Sequence, residues 1–305
     1  MFIDERRPPR DSVTAMLDPR WKTLGVLAAA ALSACGPASR DQGDDTGGGD
    51  GGNGDGSNGD GCSDAAKLVY VVDSNNKLSK FDPMTKTFTD LGNLSCPAGF
   101  GATPFSMSID RDTNAWVLYS DTDLYKVNTT SLMCTATSWS TQLGLAQFGM
   151  GFSTDTAGGT VDTLFVAGGA GPTVPTSTLA TLSTSNMTAQ GRGTVTGWPE
   201  LTGTGNAELW GFFPSAGGAR IEKLDKTTGT ALTTFQLPSL AGEPMAWAFA
   251  AWGGDFWIFL MKGTETQTTV YQVGGTTGQI KGTTAAPGRR IVGAGVSTCA
   301  PTVIF

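Results

Sequence analysis

The chain has 305 residues, 43 of them Gly, with 27 acidic residues against 20 basic ones and no histidine. Without histidine there is no His-based triad, no His general base and no His metal ligand. A net charge of -7 argues against nucleic acid as a partner, because phosphate binding needs clustered Lys and Arg. From Ser63 onward the balance is nearer neutral, with 17 acidic and 14 basic residues.

At the N-terminus, Arg20 and Lys22 form a positive flank ahead of an apolar run from Leu24 to Leu32. That run is too short to span a bilayer as a helix, but it suits the core of a secretory signal. It ends in Leu32-Ser33-Ala34-Cys35, which resembles the lipobox of bacterial lipoproteins, with small residues between Leu and Cys. The resemblance implies that residues 1–34 are a signal peptide and that the Cys35 thiol carries diacylglycerol. The 15 residues before Met16 look unlike a signal start, so Met16 is a candidate initiator. Gly36 in place of Asp favours, by the same resemblance, the outer membrane. The expected location is therefore the cell outer membrane or cell surface, lipid-anchored. The alternative is an ordinary signal peptide with a coincidental cysteine.

Residues 36–61 are rich in Gly and Asp, with no apolar residue able to join a core. The segment from Cys35 to residue 62 is expected to be a solvated, disordered tether. Asp and Asn alternating with Gly also suggest calcium, but an EF-hand-like loop needs flanking helices and a terminal Glu, which are missing. No metal is expected.

From residue 63 the sequence repeats one hairpin pattern. The five copies are LSKFDPMTKTFT from Leu78, LYKVNTTSLMCT from Leu124, LATLSTSNMTAQ from Leu179, IEKLDKTTGTAL from Ile221 and VYQVGGTTGQIK from Val270. Each has an aliphatic residue, a second apolar residue three later, then a turn residue. Asp82, Asn128, Ser183 and Asp225 are expected to bond their own backbone ahead, and Gly274 to supply positive φ. The turn residues are 46, 55, 42 and 49 apart, which is the size of a propeller blade. Two more apolar strands precede every copy but the first, giving four strands per blade. The first unit starts at KLVYVVD, and RIVGAGVSTCA at the far end has no blade of its own. Joining them completes a fifth blade and hides the open sheet edges. The fold expected over 63–305 is thus an all-β, five-bladed propeller of four-stranded blades closed by both chain ends. A two-sheet sandwich is the alternative.

Four cysteines follow Cys35, and an even number in an exported chain suggests two disulfides. Three pairings exist. Positions along the blades favour Cys62 with Cys299, which would pin the closure, and Cys96 with Cys134 between neighbouring blades.

Motifs for chemistry are sparse. Asp110, Asp112 and Asn114 alternate as a metal loop does, but a turn between strands wants the same residues. There is no GxSxG, P-loop or CxxC motif, and the Gly-rich turns lack the lysine and helix of a phosphate site. No cofactor and no catalytic residue is expected.

Segments such as SMSIDRDTNAWVLYS resemble blades of the NHL and YVTN families of propellers, a fold-level likeness to families that host both enzymes and binding modules. The resemblance implies that a ligand meets the face bearing the loops from outer strand to next inner strand. Those loops carry Phe100, Trp139, Trp198, Glu200, Glu243, Arg289 and Arg290. Trp beside carboxylate and guanidinium groups suits stacking on a sugar or gripping a peptide. The alternative is that Trp139 and Trp198 pack between blades. Trp116, Trp210, Trp247, Trp252 and Trp257 are expected in the core. The leading expectation is a monomeric, lipid-anchored envelope module for binding or scaffolding, its partner an envelope glycan or protein. A carboxylate-dependent lyase or glycosidase at the central channel, using Glu200 and Glu243, is the alternative, and a purely structural surface protein is a third.

Overall fold

The computed structural model describes residues 62–172 and 175–304. Cys35, the signal segment and residues 36–61 lie outside the described residues. In chain order the first three strands are β1 (Val69–Asp73), β2 (Lys77–Asp82) and β3 (Thr87–Asn93). The second blade is β4 (Pro104–Ile109), β5 (Asn114–Tyr119), β6 (Leu124–Asn128) and β7 (Cys134–Ala136). The third is β8 (Gln147–Thr154), β9 (Asp162–Gly169), β10 (Thr176–Leu182) and β11 (Ala189–Thr196). The fourth is β12 (Glu200–Gly203), β13 (Leu209–Phe213), β14 (Ala219–Leu224) and β15 (Ala231–Leu237). The fifth is β16 (Pro244–Trp252), β17 (Asp255–Lys262), β18 (Thr268–Gly274) and β19 (Ile280–Ala286), after which β20 (Ile291–Gly295) ends the series.

These strands form five antiparallel four-stranded sheets. Four are consecutive in sequence, and the remaining one runs β20-β1-β2-β3. Here β20 pairs antiparallel with β1, Val71 opposite Ala294 and Val72 opposite Gly293. The first blade is therefore built from both ends of the domain, as its missing inner strand predicted. The inner strands β4, β8, β12, β16 and β20 contact one another in cyclic order, which closes the ring. The sandwich alternative fails on this topology.

The apolar runs of the middle strands follow from burial on both faces. Successive side chains of a strand point to opposite faces, so each run feeds two blade interfaces. Val69 and Val71 pack against the fifth blade, while Tyr70 and Val72 pack against the second. Trp116 and Leu118 face the third blade, and Ala115, Val117 and Tyr119 turn back to the first. The same alternation in β9, β13 and β17 yields five apolar clusters, one per blade interface. Outer strands need only one buried face, so β19 reads as alternating exposed and half-buried residues.

All five repeated hairpins occur where their pattern placed them. In each, the turn residue's carbonyl accepts from the N–H four residues on, at Lys86, Leu132, Met187, Gly229 and Gly278. Each of those five residues has positive φ, between 56° and 77°. Asp82 Oδ1 accepts from Met84 N at 2.8 Å, Asn128 Oδ1 from Ser131 N at 2.8 Å, and Asp225 Oδ1 from Thr227 N at 2.8 Å. Two details differ from expectation. Ser183 Oγ meets the hydroxyl of Ser185 instead of backbone, and the left-handed residue of the fifth turn is Gly278, not Gly274. The special φ belongs to the end of this turn, where the chain must reverse into the outer strand.

Two disulfides secure the ring. Cys62–Cys299 spans 237 residues with its Cα atoms 5.8 Å apart, and Cys96–Cys134 spans 38 with Cα atoms 5.1 Å apart. Both pairings are the expected ones. Beside the first, Arg111 donates to Thr298 Oγ1 at 2.8 Å, and Thr298 in turn donates to Asp162 Oδ2 at 2.7 Å. The second and third blades are thereby tied to the segment after β20. Burial pushes the Asp162 carboxyl up, against the pull of Thr298 and Arg111.

Candidate ligand-binding site

The inner strand of each blade is a sheet edge, so its outward N–H and C=O groups have no strand partner. Side chains from neighbouring blades supply partners instead. Ser108 Oγ accepts from Phe152 N at 3.3 Å, and Thr202 Oγ1 accepts from Ala251 N at 3.1 Å. Prolines remove donors outright at the start of inner strands, where Pro104 opens β4, Pro244 opens β16 and Pro199 precedes β12. Glycine brings the inner strands close: a Cβ at Gly149 would lie 2.3 Å from Pro199 O and 2.8 Å from Glu200 Cα.

At the mouth where outer-to-inner loops arrive lies a cavity of about 700 Å³. Trp198 reaches it from the loop into the fourth blade and Glu200 from the first position of β12, Glu243 from the loop into the fifth, and Arg290 from the loop into the first. Phe105, Met245 and Trp247, at the starts of β4 and β16, add apolar wall, and Pro104, Pro172, Pro214 and Pro244 stiffen the rim.

Glu200 is the buried polar group of this site, only 3% exposed. Ser106 Oγ donates to its Oε2 at 2.9 Å, and the Met150 backbone N–H also bonds the carboxyl. Burial holds its pKa well above the usual carboxylate range, and these two bonds offset that only in part. Among the ion pairs of the described residues, none includes Glu200. Glu243 and Arg290 are exposed. The Arg290 guanidinium donates through Nη2 to Met245 O at 2.7 Å, which lays it along the rim.

Of the seven residues expected on this face, Trp198, Glu200, Glu243 and Arg290 line the cavity. Trp139, Arg289 and Phe100 do not. Trp139 packs between the second and third blades, edge-on to Phe148 with ring centroids 5.6 Å apart. For Trp139 the packing alternative is the observed one. Arg289 binds Asp90 at 2.6 Å and stacks 4.8 Å from the centre of the Phe88 ring, which joins the fifth blade's exit loop to the first blade. Phe100 stands fully exposed on the loop between β3 and β4. Trp247 was expected in the core but is half-buried at the mouth. Its position three residues after the strand-opening Pro244 was the available signal.

Of the other expected core tryptophans, Trp116, Trp210 and Trp257 are buried, while Trp252 is half-buried and donates to Lys67 O at 2.8 Å. Asp110 acts as a turn residue. Its carboxylate accepts from Asn114 N at 2.8 Å and from Trp116 Nε1 at 3.0 Å. Among the described residues no cluster of three or more His, Cys, Asp or Glu forms a metal site. None of their helices is long and apolar enough to cross a membrane.

No family model matches the chain, and no curated protein matches it. Solved structures do. A protein of unknown function from Bacteroides caccae shares 13% identity over 75% of this chain and 97% of its own, with a TM-score of 0.44. A luciferin-regenerating enzyme shares 11% identity over 76% of each chain, with a TM-score of 0.44. A calcium-binding protein, regucalcin, from Agrobacterium tumefaciens shares 11% over 77% of this chain and 76% of its own, with a TM-score of 0.42. At these levels the likenesses say nothing of ligand or activity, and the five-bladed propeller stands on the chain's own sheets.

Proposed function

We propose that this chain is a lipid-anchored β-propeller of the cell envelope that acts as a binding or scaffolding module, with the mouth cavity as its ligand site. One observation carries the reading: the entries to three blades bring Trp198, Glu200, Glu243 and Arg290 to one preformed cavity rimmed by prolines. Rigid walls keep the ordering cost of binding low, and a few polar groups in an apolar pocket fix orientation. The lipobox-like Leu32-Ser33-Ala34-Cys35 and the Gly/Asp-rich segment behind it support an anchor and tether.

The test has two arms. The full-length protein is screened against immobilised envelope glycans and peptides, with the expectation that Trp247→Ala weakens any saturable hit by about tenfold or more. Fractionation of cells carrying Cys35→Ser should move the protein from the membrane to the soluble fraction. A variant that stays membrane-bound rejects the anchor, and a screen with no saturable hit rejects the binding site. A carboxylate-dependent lyase or glycosidase is the second reading, favoured by Glu200 and Glu243 lining one cavity. Turnover of a screened glycan that is abolished by Glu243→Gln would transfer the assignment to it.

A further inference from the structure

The geometry points to an organic cation, a substituted ammonium or the amino head of a larger molecule, as the chemical class that the mouth cavity recognises. This rests on the cavity being a binding site and adds the charge of what enters it.

Among the described residues Glu200 has no cationic partner within ion-pair distance. Its two bonding partners, the Ser106 hydroxyl and the Met150 N–H, are both donors and suit an ionised carboxylate. What opposes ionisation is desolvation, with no cation in the described residues to compensate. A buried carboxyl of this kind is costly unless a charge partner arrives, and the cavity it lines gives such a partner a way in. The walls favour the same guest. Trp198, Trp247 and Phe105 line the cavity, and aromatic faces attract cations through their quadrupole, most strongly where water is excluded. Glu243 on the rim adds negative potential. Arg290, the one basic lining residue, is turned onto the Met245 carbonyl.

Anions fit the site poorly, since they would meet a desolvated carboxyl. A neutral sugar gains from the tryptophans but gives Glu200 no reason to ionise, so it draws no charge-assisted contact from the carboxyl. The ligand and the proton therefore compete for one carboxyl. Cation affinity should rise with pH, by up to about tenfold per unit, until Glu200 is fully ionised.

Calorimetric titration of the full-length protein with choline and with its uncharged tert-butyl isostere, in which carbon replaces nitrogen, tests this. Saturable choline binding at least about tenfold tighter than the isostere, strengthening with pH, is expected. Glu200→Gln should erase both the preference and the pH dependence, while Arg290→Ala, on an exposed side chain, should tighten choline. Equal binding of the two probes overturns the cation inference but leaves the cavity standing as a binding site. A preference that survives in Glu200→Gln, or choline binding weakened by Arg290→Ala, overturns it as well. If neither probe binds, the cation inference falls, and a saturable hit in the glycan and peptide screen then shows the binding reading surviving alone.

Discussion

Two carboxyls show how position sets the sign of a pH effect. Glu200 has a folded-state pKa raised by burial, so its neutral form is the one the fold favours. Its contribution to stability is full below its unfolded value near about 4.3 and is lost as pH rises toward the folded value. Glu200→Gln should therefore gain on the parent steadily from about pH 4 upward, read as melting temperature against pH. Asp90 has the opposite sign. The Arg289 guanidinium first, then Lys77, hold its carboxyl down at about 2, so its contribution is present above its unfolded value and fades as pH falls from about 4 toward the folded value. Arg289→Ala should remove the difference between acid and neutral stability that belongs to this pair, and the gap between variant and parent should close in strong acid. Sequence placed Arg289 and Arg290 together at the ligand face. Their separation came from Asp90 and Phe88, which lie in another blade 199 residues away by the Arg289–Asp90 bond and could not be paired by local reading.

At the scale of elements, the turns into the five outer strands are a matched set, and the left-handed residue of each is the constrained one. Gly278 has φ +65°, and a Cβ there would lie 2.5 Å from Phe235 Cγ on the neighbouring blade. Gly278→Ala is expected to cost roughly 2–3 kcal/mol in denaturant unfolding, from left-handed strain and overpacking together. Gly288 has φ +67° with nothing near its missing Cβ, so Gly288→Ala should cost only about 1 kcal/mol. Equal losses would show that contact with Phe235 is irrelevant. The hairpins themselves were legible because a pair of apolar residues three apart, followed at once by a turn residue, recurs at blade spacing. The packing of Trp139 between blades was also among the readings of the sequence, and the long loop from β7 to β8 provides it by folding back into a crevice between them. Order along the chain placed part of the mouth: Trp198, Glu243 and Arg290, within two residues of an inner strand, and Glu200, the first residue of one, line the cavity, whereas Arg289 does not.

For the molecule as a whole, closure is the governing constraint. By the chain-entropy model, the bridge over 237 residues contributes about 5 kcal/mol and the one over 38 about 4 kcal/mol. Cys62→Ser with Cys299→Ser should thus lower unfolding free energy at least as much as Cys96→Ser with Cys134→Ser. Losses in the reverse order would mean that the ring holds its ends without help from sulfur. The matched fragments near the two ends made this architecture readable in the sequence, because a strand lacking its inner neighbour and a strand lacking a blade complete each other. The pairing of β1 with β20 also governs the order of assembly. While the chain is being made, Val69–Asp73 has its outer neighbour but waits more than two hundred residues for its inner one. The nascent protein is an open arc with a bare sheet edge at its leading end until Ile291–Gly295 has been synthesised. The four blades that are consecutive in sequence can pair as they emerge, but ring closure, the contact of longest sequence separation, comes last.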